Sequence, residues 1–197
     1  MPPPLADSVG QQEKIEEDIS SIIAIKKYVQ QGDLIMRTGK DFTSELMRLS
    51  SINDKTYSHC GIASFENDSL FVYHALGGEW NPDQKLRRDA FEVFCNPYEN
   101  RGIGIFRYTL NKNTRTRLFE IIHKLYADGV MFDMKFDLSS DNRMYCSEFV
   151  YKSVEQANDH EITLPLTTFN DVKFVAPDNL YLNPFCKEIL RLEFQTR

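Results

Sequence analysis

Two β-rich runs, Tyr57 to Phe65 and Leu70 to Leu76, flank Glu66-Asn67-Asp68-Ser69, and no other part of the 197-residue chain constrains the fold as much. Runs of this composition on either side of a short polar segment form an antiparallel hairpin. The length of the loop then decides which side chains share a face. A two- or four-residue loop places His59, Gly61 and Ala63 on the side of Val72 and His74, whereas an odd loop separates the histidines. An imidazole inside an apolar strand is costly without a polar partner, so His59 and His74 are candidate site residues.

A second feature lies far along the chain. Tyr145-Cys146-Ser147-Glu148-Phe149-Val150 opens an amphipathic helix reaching Ala157, with Cys146, Phe149, Val150, Ser153, Val154 and Ala157 on one side. A thiol in the first helical turn is exposed to the positive end of the helix dipole and to free N–H groups, which favour the thiolate. Such a nucleophile needs an imidazole within reach, and that imidazole needs a polar group on its other nitrogen. Taken singly, a helix-start cysteine is a small buried hydrophobe and a strand histidine a hydrogen-bonded core residue. The functional reading rests on the combination.

The remaining elements fall around these two. Residues 1–10 are Pro-rich and polar and read as a flexible arm preceding a single domain over 11–197. Residues 11–31 carry Ile15, Ile19, Ile22, Ile23 and Val29 at helical spacing, a peripheral helix closed by Gly32. Asp33 to Arg37 is a short strand, and Asp41 caps a helix to Leu49 with Phe42, Leu46 and Leu49 on one face. Lys85 to Asp89 reads as a solvated charged loop, Phe91 to Phe94 as a brief strand and Ile103 to Leu110 as a longer one. Arg115 to Tyr126 is a helix with Leu118, Ile121, Ile122 and Leu125 buried, and Ile189 to Phe194 an edge strand.

Composition narrows the function. A formal charge of −6 with scattered Lys and Arg argues against a nucleic-acid partner. No apolar run reaches the length of a membrane span, so no integral membrane segment is expected. Cys60, Cys95, Cys146 and Cys186 are widely spaced, which argues against a zinc knuckle or a disulfide framework. A zinc site from His59, His74 and Cys146 lacks a close-spaced ligand pair, so neither metal nor cofactor is expected. Strand alternation turns Cys60 away from His59 and makes it a core residue. His123 in a helix and His160 in a polar loop are weaker candidates. Asp33, Tyr145 and Trp80 complete the set as substrate-binding or oxyanion positions. The location stays open between a secreted or periplasmic chain without its leader and a cytoplasmic one.

Gly32-Asp33-Leu34-Ile35, Ser58-His59-Cys60-Gly61-Ile62, Val72-Tyr73-His74-Ala75 and Tyr145-Cys146-Ser147-Glu148-Phe149-Val150 together resemble the YaeF/YiiX-like permuted papain-like amidases. These belong to the NlpC-type superfamily and are similar to the lecithin-retinol acyltransferase group. The resemblance spans roughly residues 32–185, including Phe132-Asp133, Phe136-Asp137 and Ala176-Pro177-Asp178-Asn179-Leu180. It implies an α+β fold of circularly permuted papain-like type, an antiparallel sheet packed against the helix of Cys146. It further implies Cys146 as nucleophile, His59 as base and His74 at the third polar position. An acidic residue is expected there in YiiX-like members and a histidine in the acyltransferase-like branch. The implied substrate is a small peptide, a lipid or an acyl-amide, hydrolysed through an acyl-enzyme. The alternatives are a lipid acyltransferase or thiol esterase, and a non-catalytic lipid- or peptide-binding module.

Overall fold

The computed structural model describes residues 5–78 and 81–195. Helix α1 (Leu5–Ile25) leads through a 3₁₀ turn into β1 (Leu34–Gly39), α2 (Phe42–Leu49) and the hairpin β2 (His59–Glu66) and β3 (Ser69–His74). There follow β4 (Arg87–Ala90), the single helical turn α3 (Phe91–Phe94), β5 (Asn100–Tyr108), α4 (Lys112–Ala127) and α5 (Cys146–Ala157). A small hairpin of β6 (Thr167–Phe169) and β7 (Val172–Phe174) precedes β8 (Cys186–Glu193). The main sheet has the order β4-β3-β2-β1-β5-β8, and all its pairings are antiparallel. The α+β class expected from the sequence is the class observed.

The β2–β3 loop is Asn67-Asp68, two residues with φ of 47° and 65°. Both lie in the left-handed region that Asn and Asp tolerate, and this turn type matches the twist of the flanking strands. The even loop sets Ala63 against Val72 and Ile62 against Tyr73, so His59 and His74 share a face.

That face is covered by α1 and α3. Ile35, Ala63, Val72, Ile103 and Ile105 of the sheet form one apolar cluster with Ile22, Ile25, Phe91, Phe94 and Phe194. The other face packs on α4 and α5: Leu34, Met36, Cys60, Ile62, Tyr73 and Phe106 meet Leu118, Ile122, Phe149, Val150 and Val154. Each large apolar side chain buried here contributes about 1.5–3 kcal/mol, and the two clusters clamp the sheet from both sides.

Several expectations are corrected. Helix α1 begins at Leu5, inside the expected arm over residues 1–10, because Ala6, Gln11, Gln12 and Glu13 are good helix formers. It ends at Ile25 rather than at residue 31, and Gly32 (φ 82°) serves the turn into β1. Phe91 to Phe94 is a helical turn rather than a strand, since its two phenylalanines are three residues apart and both enter the core. The charged run before it is no solvated loop: Arg87–Ala90 is an edge strand on β3. Helix α2 turns its apolar stripe outward, leaving Phe42, Leu46 and Leu49 half or more exposed.

Gly61 sets the spacing of the hairpin at the histidines. A Cβ there would lie 2.5 Å from Val72 Cγ1 and 2.7 Å from the Tyr73 carbonyl oxygen, both inside van der Waals contact. Gly61→Ala is expected to lower the unfolding free energy by about 1–3 kcal/mol in urea titrations. Wild-type stability in that variant would show that the strands are free to part.

Candidate functional site

Three ionisable side chains are linked across β2, β3 and β4. Nε2 of His59 lies 2.9 Å from Nδ1 of His74, and Nε2 of His74 lies 3.0 Å from Oδ2 of Asp89. The register produces this line. Asp89 stands opposite Val72 and Arg87 opposite His74, so Asp89 reaches diagonally to the ring on its own face. Phe94 packs against both rings, with centroids 5.6 Å from His59 and 4.9 Å from His74. The rings are thereby fixed in orientation.

The hydrogen bonds fix the tautomers as well. An ionised carboxylate only accepts, so Nε2 of His74 carries the proton donated to Asp89. Its Nδ1 is then the acceptor for Nε2–H of His59, and Nδ1 of His59 keeps a free lone pair. Burial holds His74 down to about 4 against the raising effect of Asp89. Burial also drives Asp89 upward, but the bond to His74 and the Arg87 guanidinium at 2.8 Å outweigh it and leave Asp89 below its ordinary range. For His59, burial and then the nearby Arg37 push the pKa well below the usual imidazole value. At neutral pH both rings are therefore neutral, and the unprotonated nitrogen of His59 is Nδ1.

Cys146 comes from the other side of the same strand. It is the first residue of α5, whose start is closed by the Glu148 carboxylate accepting Tyr145 N–H at 3.2 Å. The β2–β3 ladder stops at Ile62 and Tyr73, although β3 continues to His74 along β4. The Cys60 N–H, which would otherwise bond β3, instead reaches the Cys146 sulfur together with the Ser147 N–H and the Cys60 thiol. These donors, the Cys60 thiol foremost, outweigh burial and lower the Cys146 pKa. His59 is the neighbour of Cys60 on β2, and its ring lies on the other face of the strand, against Phe94. All three are buried, Cys146 with 4% and His59 with 6% of its surface exposed and Cys60 with none.

Asp33 and Tyr145 are held in hydrogen bonds of the scaffold. Asp33 is buried, accepts two 2.7 Å bonds from Arg107 and one from Gln30 N–H, and stands beyond the Leu34 end of β1, while His59 pairs with Arg37 near the other end. The Tyr145 hydroxyl accepts from Val175 N–H at 2.8 Å, and its backbone N–H donates to the Glu148 carboxylate at 3.2 Å. Trp80 lies outside the described residues. His123 stacks on Tyr73 and Phe119, and exposed His160 faces Glu155. Asp89 is the residue that sequence reasoning missed. Its signal was a carboxylate following the turn after the hairpin, masked by Lys85, Arg87 and Arg88 around it. Among the described residues no three His, Cys, Asp or Glu side chains are grouped to hold a metal ion, and no helix is long and apolar enough to cross a membrane.

Comparison with solved structures finds a protein described as metalloprotein YiiX from Escherichia coli O157:H7. The TM-score is 0.67 at 18% sequence identity, over 82% of this chain and 97% of that one. The chain thus has a YiiX-like fold. No family model and no curated protein matches the sequence.

Glu148 gives a test of the helix start. Burial raises its carboxyl to about 7, against the lowering effects of Lys152 and Tyr145 N–H. The folded state therefore binds the proton more tightly than the unfolded chain, and the destabilisation appears as pH rises from about 4.5 to 7. Glu148→Gln removes that slope. Chemical denaturation at pH 5 and pH 7.5 is expected to show wild type losing about 1–3 kcal/mol more than the variant across the interval. Parallel losses would contradict the raised carboxyl.

Proposed function

We propose, with the YiiX-like fold as premise, that this chain is a cysteine-dependent hydrolase of amidase or peptidase type built on one circularly permuted papain-like domain. The observation that carries the reading is the Asp89–His74–His59 line, which leaves a free Nδ1 on a strand whose next residue contacts the Cys146 thiol. The substrate class is an amide-containing cell-wall peptide or a lipid amide.

In the proposed reaction the thiol proton passes round the open end of the β2–β3 hairpin to Nδ1 of His59, and the Cys146 sulfur attacks the carbonyl carbon. The free N–H of Cys146 in the first turn of α5 supports the oxyanion. Protonated His59 then gives its proton to the leaving amine, and water drawn against the neutral ring releases the acyl group. His74 receives the His59 Nε2–H bond throughout, and Asp89 balances the transient imidazolium through it. A histidine at the third position thus has a carboxylate behind it, where a YiiX-like member is expected to carry the acid directly.

An acyl-lipid substrate, or acyl transfer to a second nucleophile, is the competing reading. Its support is the outward apolar stripe of Phe42, Leu46 and Leu49 on α2, which follows β1 and packs at the His59 end of the sheet.

Cys146→Ala is expected to keep the far-UV circular dichroism spectrum and to abolish labelling by a thiol-directed acyl probe. Labelling that persists at Cys60 or Cys186 overturns the assignment of the nucleophile. Asp89→Asn is expected to lower kcat/KM about 100-fold or more, with the loss in kcat rather than KM. A loss confined to KM would make Asp89 a binding residue. Parallel assays on a cell-wall-type peptide amide and a long-chain acyl amide separate the two substrate readings.

A further inference from the structure

Cys60 takes no part in the chemistry proposed above, yet it lies on the face of β2 against which α5 packs, in one cluster with Cys146 at the first turn of that helix. The contact is built into the fold. Strand alternation aims Cys60 at the face on which α5 packs, both cysteines belong to the same apolar cluster, and the β2–β3 ladder opens beside them. Both thiols are free. Both are buried, Cys146 with 4% of its surface exposed and Cys60 with none. Cys95 lies in the cluster on the opposite face, and Cys186 is on β8 at the far edge of the sheet. Cys60 is thus the thiol placed to answer any oxidation of Cys146.

We propose that Cys60 is a resolving thiol: a hydroperoxide oxidises Cys146, and Cys60 closes a reversible Cys60–Cys146 disulfide that silences the nucleophile and spares it irreversible oxidation. The Cys146 thiolate attacks the terminal oxygen of ROOH, the O–O bond breaks, and the alkoxide leaves as ROH with the proton released by the thiol. The Cys60 sulfur then attacks the sulfenic sulfur, the S–OH bond breaks, and the hydroxide leaves as water with the Cys60 proton. The two sulfurs lose two electrons in all and the peroxide gains them. The pairing rests on Cys146 being the reactive thiol of the proposed hydrolase but not on any substrate.

The test treats the reduced full-length protein with hydrogen peroxide and maps cysteine-containing peptides by mass spectrometry without reductant, then repeats the map after dithiothreitol. The expected product is a Cys60–Cys146 cross-link, two hydrogens lighter, fully reversed by dithiothreitol. In Cys60→Ser, Cys146 is expected to gain two oxygens as the sulfinic acid and to resist reduction. If that variant fails to fold by circular dichroism, the wild-type map alone decides. Sulfinic acid at Cys146 as the main wild-type product, a cross-link to Cys95 or Cys186, or no oxidation of Cys146 overturns the proposal. Because the readout is mass, absence of hydrolytic activity would count against the proposed function and leave the cross-link result standing.

Discussion

The hydrogen bond from His74 to Asp89 governs the polar side of this molecule. It dictates which nitrogen of His74 bears the proton, and through that nitrogen it dictates the tautomer of His59. Without it, two buried neutral imidazoles 2.9 Å apart have two equivalent ways to share a proton, and only one of them leaves Nδ1 of His59 basic. The carboxylate selects that arrangement from a strand at the edge of the sheet. Arg87 keeps it ionised from the same strand, and Phe94, in the helical turn that follows, holds both rings.

The thiol depends on a different constraint, the parting of β2 from β3 beyond Ile62 and Tyr73. In a regular sheet the Cys60 N–H would be used in the ladder. Here it is released to the sulfur at the start of α5, so the same irregularity that opens the hairpin end also stabilises the thiolate. Gly61 lies between the two effects, where an added Cβ would run into Val72 and the Tyr73 carbonyl. The two apolar clusters press α5 and α3 on opposite faces of this point, and the histidine line and the thiol are delivered to it from either side.

The antiparallel hairpin, the shared face of His59 and His74, helices α4 and α5 and the burial of Cys60 are all readable from periodicity and loop parity. Those features depend on local repeat and on contacts close in sequence. What escaped was set by partners distant in sequence. Asp89 reads as solvated because Lys85, Arg87 and Arg88 surround it, and only its pairing with β3 brings it to His74. Asp33 follows a glycine at a strand start, as a site residue can, but Arg107 on β5 claims both its oxygens. The apolar stripe of α2 carries helical spacing without a core to receive it, and pattern alone does not tell that this face turns outward. Phe91 to Phe94 is too short for periodicity to separate a strand from a helical turn.

The central claim is that Asp89, acting through His74, keeps the lone pair of His59 at Nδ1. Nitrogen-15 NMR of the histidine side chains at neutral pH tests it directly, with assignment by the His59→Gln and His74→Gln variants. The expected spectrum has both rings neutral, each protonated at Nε2 and unprotonated at Nδ1. A His59 ring protonated at Nδ1, or one that exchanges between tautomers as freely as an isolated imidazole, would contradict the account.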